Sequence, residues 1–375
     1  MQILTSVWRF CRAKFRVLDP TLLVCSTLLS VISLLVMIGG GEVFGSRVIV
    51  IQIGATLVGM FVMIVLANID YRRLSERFAP ILLGVSVLLM IVLLIDGVGA
   101  GTNQSWLYFD FLPFGIQPTE FIKTALAITF AYHLSRVKEN INRPIVLLSL
   151  AAHAGSIILL IVLSGDMGVA LIFACFCLLM LFCAGLSLWY FAGGAALVAI
   201  LAPILWMQLQ PYQQQRILVG FRPELDPLGY GYQPLMSRDA IMSGGFFGKG
   251  VFGGEVYAQL PASHTDFAYA TVCEKLGFFG GFVILVALLI LVFRVILIAL
   301  QSERGLGSYL CVGLAACLMM QIIINVGMCF AVLPVVGITL PLVSYGGSSV
   351  LGAYMMLGMA HSVSAHRNRS RTVWS

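Results

Sequence analysis

Leu260-Pro261-Ala262-Ser263-His264-Thr265-Asp266-Phe267 closes a polar segment that begins near Gln208. Long apolar runs stand on both sides of it. The segment gathers Arg216, Arg222, Glu224, Asp226, Arg238, Asp239, Lys249, Glu255, His264 and Asp266, with glycines among them. Turning between two helices takes only a few residues, and loops beyond about 12–15 residues are as a rule functional or disordered. The chain therefore divides into a hydrocarbon-soluble bundle and one large polar excursion, which becomes the roof of a candidate site.

Composition supports that division. The 375 residues are 60% apolar and 10% charged, against about 25% charged in soluble domains. The basic start (Arg9, Arg12, Lys14, Arg16) leads into an apolar run too long for a cleavable signal, with no small-residue cleavage site. The net charge of +6 is not read as nucleic-acid affinity, because membrane topology accounts for most of it. Of the nine cysteines, Cys25, Cys175, Cys177, Cys183, Cys311, Cys317 and Cys329 sit in apolar stretches without paired spacing, which suits small core hydrophobes rather than zinc or disulfides.

A spanning helix needs roughly 20 apolar residues. The expectation is an all-α polytopic membrane protein of about ten transmembrane helices, at 20–38, 47–67, 80–97, 117–135, 145–163, 167–184, 187–206, 267–293, 306–331 and 345–364. One membrane domain would cover 1–375, with a cytoplasmic segment 1–19, a large extracytoplasmic loop 207–266 between helices 7 and 8, and a cytoplasmic tail 365–375. Orientation follows from basic residues, which stay on the cytoplasmic side. Arg9, Arg12, Lys14, Arg16, Arg72, Arg73, Arg77, Arg136, Lys138, Arg143, Arg294, Arg304, Arg367, Arg369 and Arg371 fall on one side, 15 of the 22 Lys and Arg. Both termini are then cytoplasmic. Residues 98–116, with Trp106, Tyr108, Phe109, Phe111 and Phe114 around Asp110, read as an interfacial aromatic segment. Residues 332–349 carry Pro334, Gly337, Pro341, Gly346 and Gly347, a non-helical stretch tolerated at that depth only inside protein or beside a wet cavity.

Ionisable residues within membrane helices are costly and point to function. Glu120 and Lys123, three apart, share a helix face; they form either a structural ion pair or a cation offered to an anionic substrate. Asp166, at a helix junction, is either a cap or a site residue. Ser243-Gly244-Gly245-Phe246-Phe247-Gly248-Lys249-Gly250 lacks the ending of a nucleotide P-loop, but its amides and Lys249 could hold a lipid phosphate. Asp266 fits an N-cap of the helix beginning near Phe267 as well as a reactive carboxylate. One His beside one Asp makes neither a metal site nor a triad. No cofactor is assigned, and a divalent cation stays open.

Several stretches together resemble the SEDS family of cell-wall proteins (RodA, FtsW and SpoVE). They are Asp19-Pro20; Trp106 followed by Gln117-Pro118-Thr119-Glu120-Phe121-Ile122-Lys123; Tyr232-Gln233 with Ser237; Ala240-Ile241-Met242-Ser243-Gly244-Gly245; Gly248-Lys249-Gly250; Leu260-Pro261 with His264-Thr265-Asp266-Phe267; and Gly337-Ile338-Thr339-Leu340-Pro341-Leu342-Val343-Ser344-Tyr345-Gly346-Gly347-Ser348-Ser349. The resemblance implies a peptidoglycan glycosyltransferase that polymerises lipid II beside a class B penicillin-binding protein in the bacterial cytoplasmic membrane. It makes Asp266 the expected catalytic residue. Trp106, Glu120, Lys123, Asp166, Arg216, Ser237, Lys249, His264, Thr265, Tyr345, Gly346, Gly347, Ser348 and Ser349 are the expected substrate contacts. A lipid II flippase and a non-catalytic scaffold are the alternatives. The chain departs from the family where Asn103-Gln104-Ser105 precedes Trp106, where Ser164-Gly165-Asp166 stands for Gln-Pro-Asp, and where Glu274-Lys275 stands for a Glu-Glu pair.

Overall fold

The structure is a computed structural model and describes residues 18–99, 104–108, 115–208, 210–303 and 305–366, without the side chains of 205, 211–213 and 216. Expectations for the basic N-terminal segment, Asp110 and its flanking phenylalanines, Arg304, the C-terminal arginines and the Arg216 side chain lie outside these residues. The helices are α1 (Pro20–Gly39), α2 (Gly41–Phe44), α3 (Ser46–Ala67), α4 (Tyr71–Asp96), α5 (Pro118–Val137), α6 (Pro144–Leu163), α7 (Met167–Cys183), α8 (Leu188–Gln208), α9 (Pro211–Phe221), α10 (Tyr232–Ser243), α11 (Val256–Gln259), α12 (Ala268–Gln301), α13 (Leu306–Cys329) and α14 (Gly347–His366). Among the described residues the only β pairing is two isolated bridges, Val98 with Trp106 and Leu107 with Ile116.

Local chemistry explains where these helices begin. Asp19 caps α1 by accepting from the Thr21 and Leu22 amides, with Pro20 in the first turn, where its missing N–H costs nothing. Pro118 and Pro144 open α5 and α6 in the same way. Asp70 caps α4 through the Arg72 amide. That cap corrects one boundary: the helix expected from residue 80 starts at Tyr71, takes Arg72, Arg73 and Arg77 into its first turns and carries Pro80 inside. Likewise α12 runs on to Gln301, past the expected 293, so Arg294 is helical; it is broken near its start at Gly277 (φ 72°).

A helix lies over each of the ten expected spans. Among the described residues seven helices are both long and apolar enough to cross a membrane, α1, α3, α4, α6, α8, α12 and α13, and α7 is apolar but only 17 residues long. The two left over, α5 and α14, are the polar ones, and they lie inside. Most of α14 is buried, and it packs along α3 more extensively than any other pair of helices does. Helices wrapped by helices need not be apolar towards lipid. By contrast α8 has no buried residue in its apolar window. The expected loop 207–266 is not loose; it folds into α9, α10 and α11 joined by tight turns.

Candidate functional site

Two connections meet at one end of the bundle: residues 260–267, leading into α12, and residues 330–346, joining α13 to α14. Among the described residues the non-glycine residues with positive φ are Ala262, Ala331 and Leu342, all in these connections. Such backbone is strained for an L-residue and persists only where its surroundings over-determine it. The restraints are visible. The Tyr345 amide donates to His264 O at 2.8 Å. The Ser344 hydroxyl donates to Thr265 O while accepting from the Leu340 amide at 2.8 Å. From α13, Asn325 Nδ2 donates to Asp266 O (2.8 Å) and Ile338 O (2.6 Å). From α3, Gln52 Nε2 donates to Ser33 Oγ and Ser344 O, and its Oε1 accepts from the Gly346 amide.

Asp266 sits in this frame just before α12, whose N-cap is Phe267. The cap alternative for Asp266 is therefore not what the helix uses. Its side chain keeps some accessible surface although protein surrounds it, as at the floor of a recess. A Cβ placed on Gly337 would lie 3.6 Å from Asp266 Oδ2. Burial pushes the Asp266 carboxyl up to about 6, the nearby Asp166 adds to the rise, and a Thr265 hydrogen bond opposes it. The charged group that most perturbs it is a second carboxylate.

Asp166 caps α7 through the Val169 amide at 3.1 Å and accepts from Ser105 Oγ at 3.2 Å. The cap reading is what the helix uses, and the cap lies close to Asp266 and Lys123. Burial raises its carboxyl, while those hydrogen bonds and the Lys123 charge pull it down. Lys123 Nζ and Glu120 Oε1 are 2.7 Å apart, both side chains almost wholly buried. Glu120 Oε2 and the Thr119 and Thr124 hydroxyls are buried without a hydrogen-bond partner, so the ion pair satisfies only part of this polar cluster. Ser348 Oγ accepts from the Gln117 amide at 3.1 Å, tying α14 to the start of α5, and Ser349 Oγ meets Thr339 Oγ1 at 2.7 Å.

His264 packs between Phe44 (centroids 5.0 Å) and Tyr345 (5.3 Å); burial holds its imidazole below the usual range and pushes the Tyr345 phenol up. Trp106 pairs with Val98, beside the Ser105 that reaches Asp166. The structure thus brings Trp106, Glu120, Lys123, Asp166, His264, Thr265, Asp266, Tyr345, Gly346, Gly347, Ser348 and Ser349 to one end of the bundle. Next to it a cavity of about 300 Å³ opens between Tyr230, Tyr232, Gln233, Pro261 and Val335. Among the described residues no group of three or more His, Cys, Asp or Glu converges as a metal site would require.

Two expected contacts stand apart. Ser237 has no accessible surface and donates to Cys329 O at 2.9 Å, bolting α10 to α13. In the glycine-rich stretch the amides around Lys249 are already used: Gly248 donates to Gly244 O, Lys249 to Glu274 O and Gly250 to Lys275 O. Its glycines serve close packing. A Cβ on Gly248 (φ 82°) would fall 2.2 Å from Lys275 O. The Lys249 side chain is exposed.

The Glu274-Lys275 departure has a physical account. Glu274 accepts from the Glu255, Val256 and Tyr257 amides at 2.7–2.9 Å. Lys275 is fully buried and donates to Gly39 O, Val251 O and Gly253 O at 3.0–3.2 Å, with its Nζ 4.0 Å from the Tyr257 ring centre. Carboxylate and ammonium together clamp 251–257 onto α12. Sequence reasoning also missed Asn325 and Gln52. Their signal was an amide inside an apolar helix, a costly group unless hydrogen-bonded.

Comparison with known proteins gives the family. Residues 16–369 match the FtsW/RodA/SpoVE family, described as "Cell cycle protein". The chain belongs to this family. It is 35% identical to the Peptidoglycan glycosyltransferase MrdB of Escherichia coli K12 over 93% of this chain and 94% of that one. It is 33% identical to the Stage V sporulation protein E of Bacillus subtilis over 82% of this chain and 84% of that one. The fold superimposes with a TM-score of 0.80 at 27% identity, over 94% of this chain and 99% of the other, on a chain of the structure described as "Structural coordination of polymerization and crosslinking by a peptidoglycan synthase complex". A mutant of the Thermus thermophilus rod shape determining protein RodA gives 0.70 at 25%, over 94% and 99%. Like its FtsW/RodA/SpoVE relatives, this polytopic membrane protein is an enzyme, a peptidoglycan glycosyltransferase.

Proposed function

We propose that the chain polymerises lipid II, the undecaprenyl-diphosphate-linked disaccharide peptide, with Asp266 as general base. The observation that carries the reading is a partly accessible carboxylate that burial lifts to about 6, on a loop held by Asn325 of α13 and by the 330–346 connection. A general base works best with its pKa near the operating pH, and positioned proton transfer is typically worth 10²–10⁴-fold. At pH 7 an acid of pKa about 6 is mostly ionised, ready to accept a proton. A sugar hydroxyl on one lipid II gives its proton to Asp266 while its oxygen bonds the anomeric carbon of the second. The bond from that carbon to the diphosphate breaks, and the diphosphate lipid leaves with the electron pair. Its charge needs a cation, and Lys123 is the candidate that lies with Asp166 and Glu120 at this end of the bundle.

The Asp266 end then faces outward, both termini are cytoplasmic, and residues 207–266 form the folded extracytoplasmic cover of one membrane domain spanning 1–375. The coordination of polymerisation with crosslinking in a complex of similar structure supports a class B penicillin-binding protein as partner. The test is glycan synthesis by purified protein supplied with lipid II. Asp266→Ala should fold and make no strands; normal polymerisation by that variant overturns the general base. Head-group movement in sealed vesicles with polymerisation blocked would favour the flippase reading, and lipid II binding without turnover the scaffold.

A further inference from the structure

Asn325 lies in the last turns of α13 and has no accessible surface. A buried amide inside an apolar helix is costly unless its protons are placed. Both protons leave the helix for loop backbone, one to Asp266 O at 2.8 Å and one to Ile338 O at 2.6 Å. The Oδ1 atom accepts from the Cys329 thiol, 3.9 Å away in the same helix. An asparagine that merely joined helices would bond a side chain or helical backbone across the interface; this one bonds neither. Asp266 O stands before α12 begins, where the Thr271 amide already bonds Phe267 O. Ile338 follows Gly337, the residue whose Cβ position lies 3.6 Å from Asp266 Oδ2. One side chain from a third element therefore fixes both the backbone that carries the carboxylate and the backbone that walls it.

Resting on the reading of Asp266 as the base, we infer that Asn325 is a positioning residue for the reaction, holding Asp266 and the Gly337 wall at a fixed separation. It touches no substrate and acts through the two carbonyls. A base must reach the hydroxyl it deprotonates to about 2.6–3.2 Å, and a displacement of about 1 Å by a distant mutation can cost about 10²-fold. Leucine matches the shape of asparagine but has neither proton, so it removes both bonds without opening a cavity, while the Ser344 and Tyr345 bonds stay.

The experiment compares wild type, Asn325→Leu and Tyr354→Phe, purified intact and supplied with lipid II. Tyr354→Phe removes a buried hydrogen bond of similar length, Ser30 Oγ to the Tyr354 hydroxyl at 2.7 Å between α1 and α14, away from the site. Asn325→Leu should lower kcat on the order of 10²-fold with KM held within about twofold, the pattern of a group whose effect is felt in the transition state. Tyr354→Phe should lower the melting temperature and leave kcat within about twofold. The inference is overturned if Asn325→Leu keeps kcat within about threefold, or if Tyr354→Phe loses kcat equally at an equal loss of melting temperature. Should Asn325→Leu fail to fold, Asn325→Ser, which keeps one donor, replaces it: a smaller kcat loss at constant KM supports the inference, and unchanged kcat overturns it. Wild type that makes no glycan strikes instead at the polymerase reading.

Discussion

At Asp266 stability and activity pull in opposite directions. Burial makes the ionised carboxylate unfavourable and lifts its pKa to about 6, yet a base must be ionised to accept a proton. Because the folded value lies above the ordinary carboxylate value of 3.8, ionisation at neutral pH costs stability, and the cost fades as pH falls from 6 towards 3.8. Two outcomes follow. The polymerisation rate should fall on the acid side of pH 6, and a flat profile down to pH 5 would argue against Asp266. Asp266→Asn should be inactive yet melt higher than wild type at pH 8, with the difference vanishing near pH 4. Lys123 is different, since its charge is paired with Glu120 deep inside. Lys123→Ala leaves that carboxylate buried and alone, a defect of roughly 3–5 kcal/mol, so lost activity must be read beside a melting curve. Lys123→Arg, with charge kept, separates the two.

Among the elements, the start of α12 is the best braced. Glu274 gathers three amides from residues 255–257 and Lys275 three carbonyls, from residues 251 and 253 and from the end of α1. Lys275→Met keeps the length and apolar stem but strands those carbonyls, about 1–3 kcal/mol for each left unsatisfied. The expected result is a marked drop in melting temperature and proteolytic cutting between residues 249 and 257; a variant as stable and protease-resistant as wild type would refute the clamp. Gly248→Ala tests the same packing from the other side. Its Cβ would collide with Lys275 O at 2.2 Å, at a φ of 82° that suits glycine. It should lower the melting temperature; a variant as stable as wild type would refute the close packing.

Over the whole molecule, polarity is graded from outside in. The exposed α8 is apolar throughout, whereas the enclosed α5 and α14 hold the polar groups that build the site. Far along the chain from Asp266, Asp19 ties three helices together. It caps α1, takes two bonds from Arg294 of α12 at 2.6 and 2.9 Å, and its amide donates to His361 Nδ1 of α14 at 2.9 Å. Burial pushes the Asp19 carboxyl up, but the Arg294 bonds and the Leu22 amide outweigh it and hold it below the ordinary value. Its contribution is therefore present above pH 3.8 and lost as pH falls below that. Asp19→Ala should cost about 3 kcal/mol, the low end for breaking a buried pair because Arg294 is partly exposed, and unfolding in detergent measures it. No loss would mean the clamp is dispensable.

Hydrophobic run length, helix starts and basic-residue bias are local properties, so the sequence alone determined an all-helical membrane fold, the order of its helices and the stretch that holds Asp266. Motif resemblance added the chemistry. Neither could show that the Lys249 and Gly250 amides are taken by α12, that Ser237 is a bolt, or that Asn325 and Gln52 hold the loops. These facts depend on which distant segment satisfies each backbone group. A buried N–H or C=O must find a partner, but only the packed structure decides that Asp266 O, unused by its own helix, is met by an amide 59 residues further along. Tertiary structure likewise set the proximity of Asp166 and Asp266, and with it the charge environment of the site.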